Sequence, residues 1–324
     1  MRTPLLEIKN LQKKYPIYGP LGKLFPPKTY MNAVSGMQLQ LFEGETYGLV
    51  GESGCGKSTT GRSIVGLVKP EGGEILYNGH DLTKLNDKEF RPLRRDLQMV
   101  FQDTLSSMNP RQRIGPLLEE PMVIQGIGDP ASRRAAVIDI LQKVGLAEEH
   151  YFRYPHELSG GQVQRLGIAR ALIINPKLIV CDEPVSALDV SIQAQILNML
   201  TGLQKKMNLS LLFISHDIGV VRYISHRIGV MYLGSLVEEA ETEELFSNTL
   251  HPYTQALFAS VPDVSLKTEK KIALKGELPV RTDEFKGCVF HTRCPYANDH
   301  CREAMPELRE VRPGHKVACH LIGR

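Results

Sequence analysis

The sequence predicts an α/β fold with three parts: a mostly parallel sheet with an antiparallel β part, an inserted helical subdomain, and a small C-terminal cysteine-bearing extension. Three observations lead there. Short apolar runs of strand length alternate with helical stretches, which implies a parallel sheet with ligands at the carboxyl ends of its strands. Residues 51–58 read G-E-S-G-C-G-K-S, a full match to the phosphate-loop pattern G-x-x-x-x-G-K-[ST], set between one such run and a helix. Four of the six cysteines lie from position 288 onward, so the thiols are a local feature of the tail.

In chain order, residues 5–11 mix apolar and polar positions as a strand does and lead to Lys13, Lys14 and Tyr15. Residues 16–30 carry Pro16, Gly19, Pro20, Gly22, Pro26 and Pro27, too many backbone punctuators for a regular element, and read as a surface loop. Alternation around Gln38 and Gln40 marks a strand over 37–42, and the apolar segment 47–50 a buried one. A helix is expected over 58–68, a short strand over 73–78, a polar helix around 87–95 and a strand over 97–101 that stops at Gln102.

From about 104 to 176 the period changes. Ala136, Val137, Ile140, Leu141 and Val144 share one helical face, as expected for an inserted helical subdomain. Residues 178–181 read as a buried strand ending in Asp182 and Glu183, and 192–207 as an amphipathic helix. Residues 209–215 form a strand ending at His216, and 227–233 another. Beyond Val261 the order loosens, with a charged run at 267–271 that reads as linker. The expected division is therefore 1–250, 251–286 for a helix and linker, and 287–324 for the cysteine module.

Composition narrows the function. At 324 residues the chain can bury a large core and a second, smaller unit. A net charge of +3 gives no argument for a nucleic-acid surface, and the basic run 91–95 is a solvated helix face. The N-terminus is not an apolar secretory segment, and no stretch approaches the 18 apolar residues of a membrane span. The expectation is a cytosolic chain unless partners carry it elsewhere.

The loop at 51–58 should hold a nucleotide triphosphate. Gly51, Gly54 and Gly56 let the backbone turn tightly and aim its N–H groups, with the helix N-terminus, at phosphate oxygens. Lys57 can reach the β and γ phosphates, and the Ser58 hydroxyl can take one position on Mg2+. Ser53, Cys55 and Thr59 belong to the same nucleotide-binding stretch, with Cys55, like Cys181, at a small-residue packing position.

Four further features follow in order: Gln102 at a strand end, L-S-G-G-Q at 158–162, the Asp182–Glu183 strand end, and F-I-S-H-D around His216. With the phosphate loop they resemble the ATPase subunits of ABC transporters over roughly residues 5–250. The resemblance implies ATP and Mg2+ as cofactors, with Asp182, Ser58 and Gln102 at the metal, Glu183 as general base and His216 on the γ phosphate and attacking water. It implies two cassettes sandwiching two ATP molecules. Ser159, Gly160, Gly161 and Gln162 then cap the partner's nucleotide, and Asp189 lies in the loop that crosses the interface. Gln102 would also hinge the helical subdomain toward a membrane partner. Tyr15 is a candidate to stack on adenine; Tyr30 is a rival, and a plain core tyrosine a third reading.

H-P-Y-T-Q-A-L at 251–257, E-P-V-S-A-L-D-V-S-I-Q-A-Q and the cysteine tail resemble the oligopeptide and dipeptide importer branch, especially the second ATPase of a paired set. That resemblance implies two membrane permeases, a second ATPase and an extracytoplasmic solute-binding protein as partners, no nucleic acid, and a peripheral place on the cytoplasmic face of the inner membrane. A same-branch ATPase for nickel or glutathione, and a soluble non-transport ABC ATPase, are the alternatives. Cys288, Cys294, Cys301 and Cys319 are spaced C-x5-C-x6-C-x17-C. Four thiolates can hold a zinc ion or a cubane [4Fe-4S] cluster, or stay unligated. The lack of a tight C-x2-4-C pair argues against zinc, and the resemblance favours the cluster.

Overall fold

The computed structural model describes residues 3–19, 26–259, 278–282 and 285–322. The first strands and helices are β1 (Leu6–Ile17), β2 (Thr29–Leu41), β3 (Thr46–Val50), α1 (Lys57–Ile64), β4 (Gly72–Tyr77), β5 (His80–Asp81), α2 (Asp87–Phe90) and β6 (Leu97–Val100). Helices α3 (Ile114–Ile124), α4 (Pro130–Lys143) and α5 (Gly160–Leu172) follow without an intervening strand. Then come β7 (Leu178–Asp182), α6 (Val190–Met207), β8 (Ser210–Ser215), α7 (Ile218–Ile224), β9 (Arg227–Tyr232) and β10 (Ser235–Glu241). The last elements are α8 (Thr242–Ser247), α9 (Pro252–Phe258), α10 (Asp299–Glu303), β11 (Arg309–Arg312) and β12 (His315–Val317).

The chain divides into two compact units. The first comprises Met1–Leu41, Thr46–Thr83 and Ser215–Arg324. In it β1 pairs antiparallel with β2 on one edge and with β4 on the other, and β5 continues from β4. A second set is built on β3, which runs parallel to β9; β10, β12 and β11 extend it antiparallel. Every residue of β3 is buried, the composition of a strand covered on both faces. The fold thus contains the expected antiparallel part beside its parallel strands.

The second unit comprises Phe42–Glu45 and Lys84–Ile214. Strands β6, β7 and β8 pair in parallel, and L-I-V-C-D and S-L-L-F-I-S are buried throughout. Helix α4 buries Val137, Ile140 and Leu141, the face read from the 3.6-residue period. Its start is fixed by Asp129, whose carboxylate accepts from the Ser132 N–H at 2.8 Å, with Pro130 in the first turn.

Three expectations are corrected. β1 runs through Pro16 to Ile17 and pairs with Thr29–Leu41, so the loop is shorter than residues 16–30. Helix α1 stops at Ile64, where backbone bonds from Val65 and Gly66 close the last turn. The expected helix around 87–95 is one α turn followed by the 3-10 segment Arg91–Arg95, because Pro92 lacks an N–H. The charged run at 267–271 lies outside the described residues.

Candidate active site

In the first unit the phosphate loop joins β3 to α1. Gly56 has φ 107°, and a Cβ there would stand 2.1 Å from the Ala33 carbonyl oxygen, so only glycine fits. Gly51 is closed in the same way, 2.1 Å from the Met231 oxygen. Lys57 is buried and folds back over its own loop, Nζ donating to the carbonyls of Gly51 at 2.7 Å and Glu52 at 3.0 Å. Ser53 and Gly54 are exposed at the tip, and Ser58 and Thr59 half-buried at the start of α1. Cys55 is buried with its Sγ 3.8 Å from Lys57 Nζ, and burial pushes its thiol pKa up. Tyr15 sits half-buried on β1 with Lys13 Nζ 5.3 Å above its ring, while Tyr30 is exposed. His216 is exposed directly after β8, where Asp217 caps α7.

In the second unit β7 ends at Asp182, which is buried, and Glu183 follows in the left-handed region at φ 48°. The Glu183 N–H donates to the Ile214 carbonyl at 2.9 Å, and its Oε2 accepts from Gln102 Nε2 at 2.9 Å. Two residues on, Thr104 is buried and donates to Gln164 Oε1 at 2.8 Å. Gln164 lies on α5, the helix opened by the L-S-G-G-Q run. Gln162 Oε1 accepts the Ser159 N–H at 3.0 Å, leaving Ser159 and Gly160 exposed at the tip of α5. Gly161 packs against Ile192 and Gly160 against Leu188, so the signature tip and the turn before α6, with exposed Asp189 and Val190, form one surface. Cys181 is wholly buried, its thiol pushed up to about 12 by desolvation, and it packs as expected.

The cysteine tail belongs to the first unit. Cys288, Cys301 and Cys319 are buried and Cys294 half-buried, and all are reduced. Burial, with smaller contributions from Cys301, Cys319 and Cys294 nearby, raises Cys288 to about 11. Cys288, Cys294 and Cys319 each accept a backbone N–H from the residue two positions on: Phe290, Tyr296 and Leu321. Among the described residues, no group of three or more His, Cys, Asp or Glu side chains is placed to hold a metal ion.

With the phosphate loop, the Gln102–Glu183 pair and the signature tip in place, comparisons with known proteins decide the family. The ABC transporter family model matches residues 34–186, and the oligopeptide/dipeptide transporter C-terminal region model matches 237–301. The chain is 50% identical over 323 residues to the oligopeptide transport ATP-binding protein AppF of Bacillus subtilis, covering 98% of this chain and 97% of that one. It is 51% identical over 328 residues to OppF of Salmonella typhimurium, covering 98% and 96%. The chain belongs to the ATP-binding proteins of ABC oligopeptide transporters.

Among solved structures, the dimeric MJ0796 bacterial ABC transporter cassette is 30% identical, with a TM-score of 0.65 over 73% of this chain and 98% of that one. The same cassette in a post-hydrolysis state with ADP and Pi matches equally, at a TM-score of 0.65. As an oligopeptide-transport ABC ATPase, this chain binds ATP and energises a transporter. No described helix is long and apolar enough to cross a membrane.

Within that family assignment, three side chains that do structural work near the loop escaped the motif reading. His251 is buried and caps α9, Nδ1 accepting the Tyr253 N–H at 3.0 Å. Tyr253 then presents its hydroxyl to the Glu52 N–H at 3.0 Å. Arg293 places Nη1 3.0 Å from both Glu52 carboxylate oxygens. A histidine before proline at a helix start was a legible capping signal; the other two contacts span 201 and 241 residues and carry none.

Proposed function

We propose that this chain hydrolyses ATP to drive oligopeptide import through membrane partners. The observation that carries the reading is Glu183 held beyond the end of β7 with its carboxylate against Gln102. A carboxylate so fixed suits a general base that orients the attacking water. Lys57 and the loop N–H groups take the β and γ phosphates, His216 the γ phosphate and the water, and Tyr15 the adenine face. Ser58, Asp182 and Gln102 offer only oxygen donors, which fits Mg2+, and these are the residues that would hold it. Bound there, Mg2+ neutralises charge on the transferring phosphoryl group.

The exposed surface of Ser159, Gly160, Asp189 and Val190 supports pairing with a second cassette, each signature tip capping the other's nucleotide through its helix N-terminus. Exposed Leu105, Val123, Ile124 and Phe152 on the helical part suit docking to permeases. The partners are then two permeases, a second ATPase and, through them, a solute-binding protein. The chain sits peripherally on the cytoplasmic face of the membrane.

A [4Fe-4S] cluster takes four thiolate ligands, and backbone N–H donors at Cys288, Cys294 and Cys319 work toward that form against the burial that raises all three thiols. Cys288, Cys294, Cys301 and Cys319 would hold a [4Fe-4S] cluster, which when bound cross-links the tail.

An affinity pull-down from detergent-solubilised native membranes, read by mass spectrometry, tests the transport role. Two multi-span permeases and a second ATPase are expected; recovery of ribosomes or nucleic-acid proteins instead would overturn it.

A further inference from the structure

The phosphate loop is held by the C-terminal extension at its second residue. The Glu52 side chain is bridged by Arg293 Nη1, which also lies 3.3 Å from the Tyr232 hydroxyl, and the Arg293 side chain is only 8% exposed. The Glu52 N–H, on the same residue, ends on the Tyr253 hydroxyl. Tyr253 and Arg293 are themselves fixed by one aromatic cluster. Ring centroids of Tyr232 and Tyr253 are 4.6 Å apart, and Phe290 stands 5.3 Å from Tyr232 and 5.4 Å from Tyr253. Phe290 and Arg293 both lie between Cys288 and Cys294.

A second tie reaches the loop from another part of the extension. Arg281 Nη1 donates to the Leu233 carbonyl at 2.9 Å and to Ser235 Oγ at 2.8 Å. Between those two residues, the Gly234 N–H donates to the Cys55 carbonyl at 2.8 Å. Leu278 lies beside Gly54 at the loop tip. Loop glycines give the backbone freedom, and a loop that must aim several N–H groups at phosphates gains from being fixed before the ligand arrives.

We infer that Arg293 and Tyr253 are positioning residues for nucleotide binding, acting through Glu52, and that the cysteine module thereby sets the conformation of the phosphate loop. The inference rests on the loop being the ATP site. Removing Arg293 leaves the Glu52 carboxylate without its ion partner, and removing the Tyr253 hydroxyl leaves a shielded N–H unsatisfied; either frees the loop. The effect falls on affinity, because neither side chain is among those assigned to the phosphates or the water.

The test is equilibrium titration of the full chain with MgADP, which avoids turnover, comparing Arg293→Gln, Glu52→Gln, the double variant, Arg293→Lys and Tyr253→Phe. Arg293→Gln should weaken binding about tenfold, the loss of one hydrogen-bonded charge contact. Glu52→Gln should do the same, and the double variant should bind no worse than either. Arg293→Lys should recover part of the loss, and Tyr253→Phe should cost roughly threefold. At saturating MgATP, kcat should hold while KM rises. Unchanged affinity in Arg293→Gln and Tyr253→Phe, or additive losses in the double variant, would overturn the inference. If Arg293→Gln does not fold, Arg293→Lys and Tyr253→Phe decide by the same criteria. A wild-type chain that bound no MgADP would instead bring down the ATPase reading itself.

Discussion

Gln102 Nε2 donates to Glu183 Oε2 at 2.9 Å, and Glu183 has φ 48°. A non-glycine residue in this region costs on the order of 1–3 kcal/mol, and such strain persists where surrounding structure over-determines it. Here the Ile214 carbonyl and Gln102 do so. Glu183→Gln keeps the shape and removes the base, so turnover should fall roughly 100- to 10,000-fold while ATP still binds. Gln102→Ala should cost less, about tenfold in kcat, since it removes one hydrogen bond to the carboxylate. Steady-state ATPase assays with parallel nucleotide titration check both; full activity in Glu183→Gln would remove it from the mechanism.

Gly56→Ala places a Cβ 2.1 Å from the Ala33 carbonyl oxygen in a backbone conformation with φ 107°. The loop has to move, and its N–H groups with it. MgATP affinity should drop by at least about 100-fold, as several phosphate hydrogen bonds are lost together. Gly202→Ala is the control, because a Cβ at that half-buried position of α6 meets nothing within 4 Å. Wild-type affinity in Gly56→Ala would show that the loop is more tolerant than its geometry implies.

Ser159 and Gly160 project from the start of α5. Ser159→Arg should leave MgADP binding by the single chain within about twofold, because surface substitutions away from packed features act weakly. It should abolish ATP-dependent pairing with a second cassette, read by size-exclusion chromatography of the Glu183→Gln background. Pairing that survives the arginine would place the signature tip outside the interface.

Motifs were legible because they are local. The apolar run before Asp182, the glycines at 51, 54 and 56, and the period of Val137, Ile140 and Leu141 each encode their geometry in adjacent residues, and the strands and helix formed where those patterns stood. The extent of β1 was hidden because Pro16 reads as a breaker, whereas its missing N–H is tolerated in a pair with register shifts nearby. Glu52, Tyr253 and Arg293 were hidden for a different reason. Glu52 occupies a variable position of the phosphate-loop pattern, and its partners come from the far end of the chain, where no spacing rule applies. His315 is likewise silent in the sequence, yet it is wholly buried between Glu238 at 2.9 Å and Glu244 at 3.1 Å.

Two histidines give the C-terminal extension opposite pH responses. Burial lowers the His251 pKa to about 4, against the attraction of Glu238 and a bond to the Ala318 carbonyl. Its folded value lies below the unfolded one, so its contribution is full above about pH 6.5 and fades as pH falls through 4, worth roughly 3 kcal/mol at most. For His315, burial opposes the charge, but the Glu238 and Glu244 carboxylates outweigh it and the pKa is raised, with Arg312 also on Glu244 at 3.3 Å. That contribution is full below the ordinary histidine value and fades as pH rises through the raised one. Protection of β12 against hydrogen exchange should therefore weaken at both ends of the pH range. His251→Gln should flatten the acid arm and His315→Gln the alkaline arm; a variant that leaves its arm unchanged would exclude that histidine as the source.

The six thiols should separate by reactivity. Cys55 and Cys181 are buried with pKa values raised by desolvation, and thiolate is the reactive form, so neither should be alkylated in the native chain. Of the tail thiols, Cys294 is the one left half-buried and should be modified first once any bound metal is removed. Purified without oxygen, the chain should carry iron and sulfide in equal amounts, brown in colour, and protect all four tail cysteines from alkylation. Cys294→Ser should lose the colour and expose Cys288, Cys301 and Cys319, because a cluster missing one thiolate is held less firmly. A colourless chain with one zinc ion would replace the cluster by zinc, and a metal-free chain with Cys294 reactive from the outset would leave the tail thiols as packing groups.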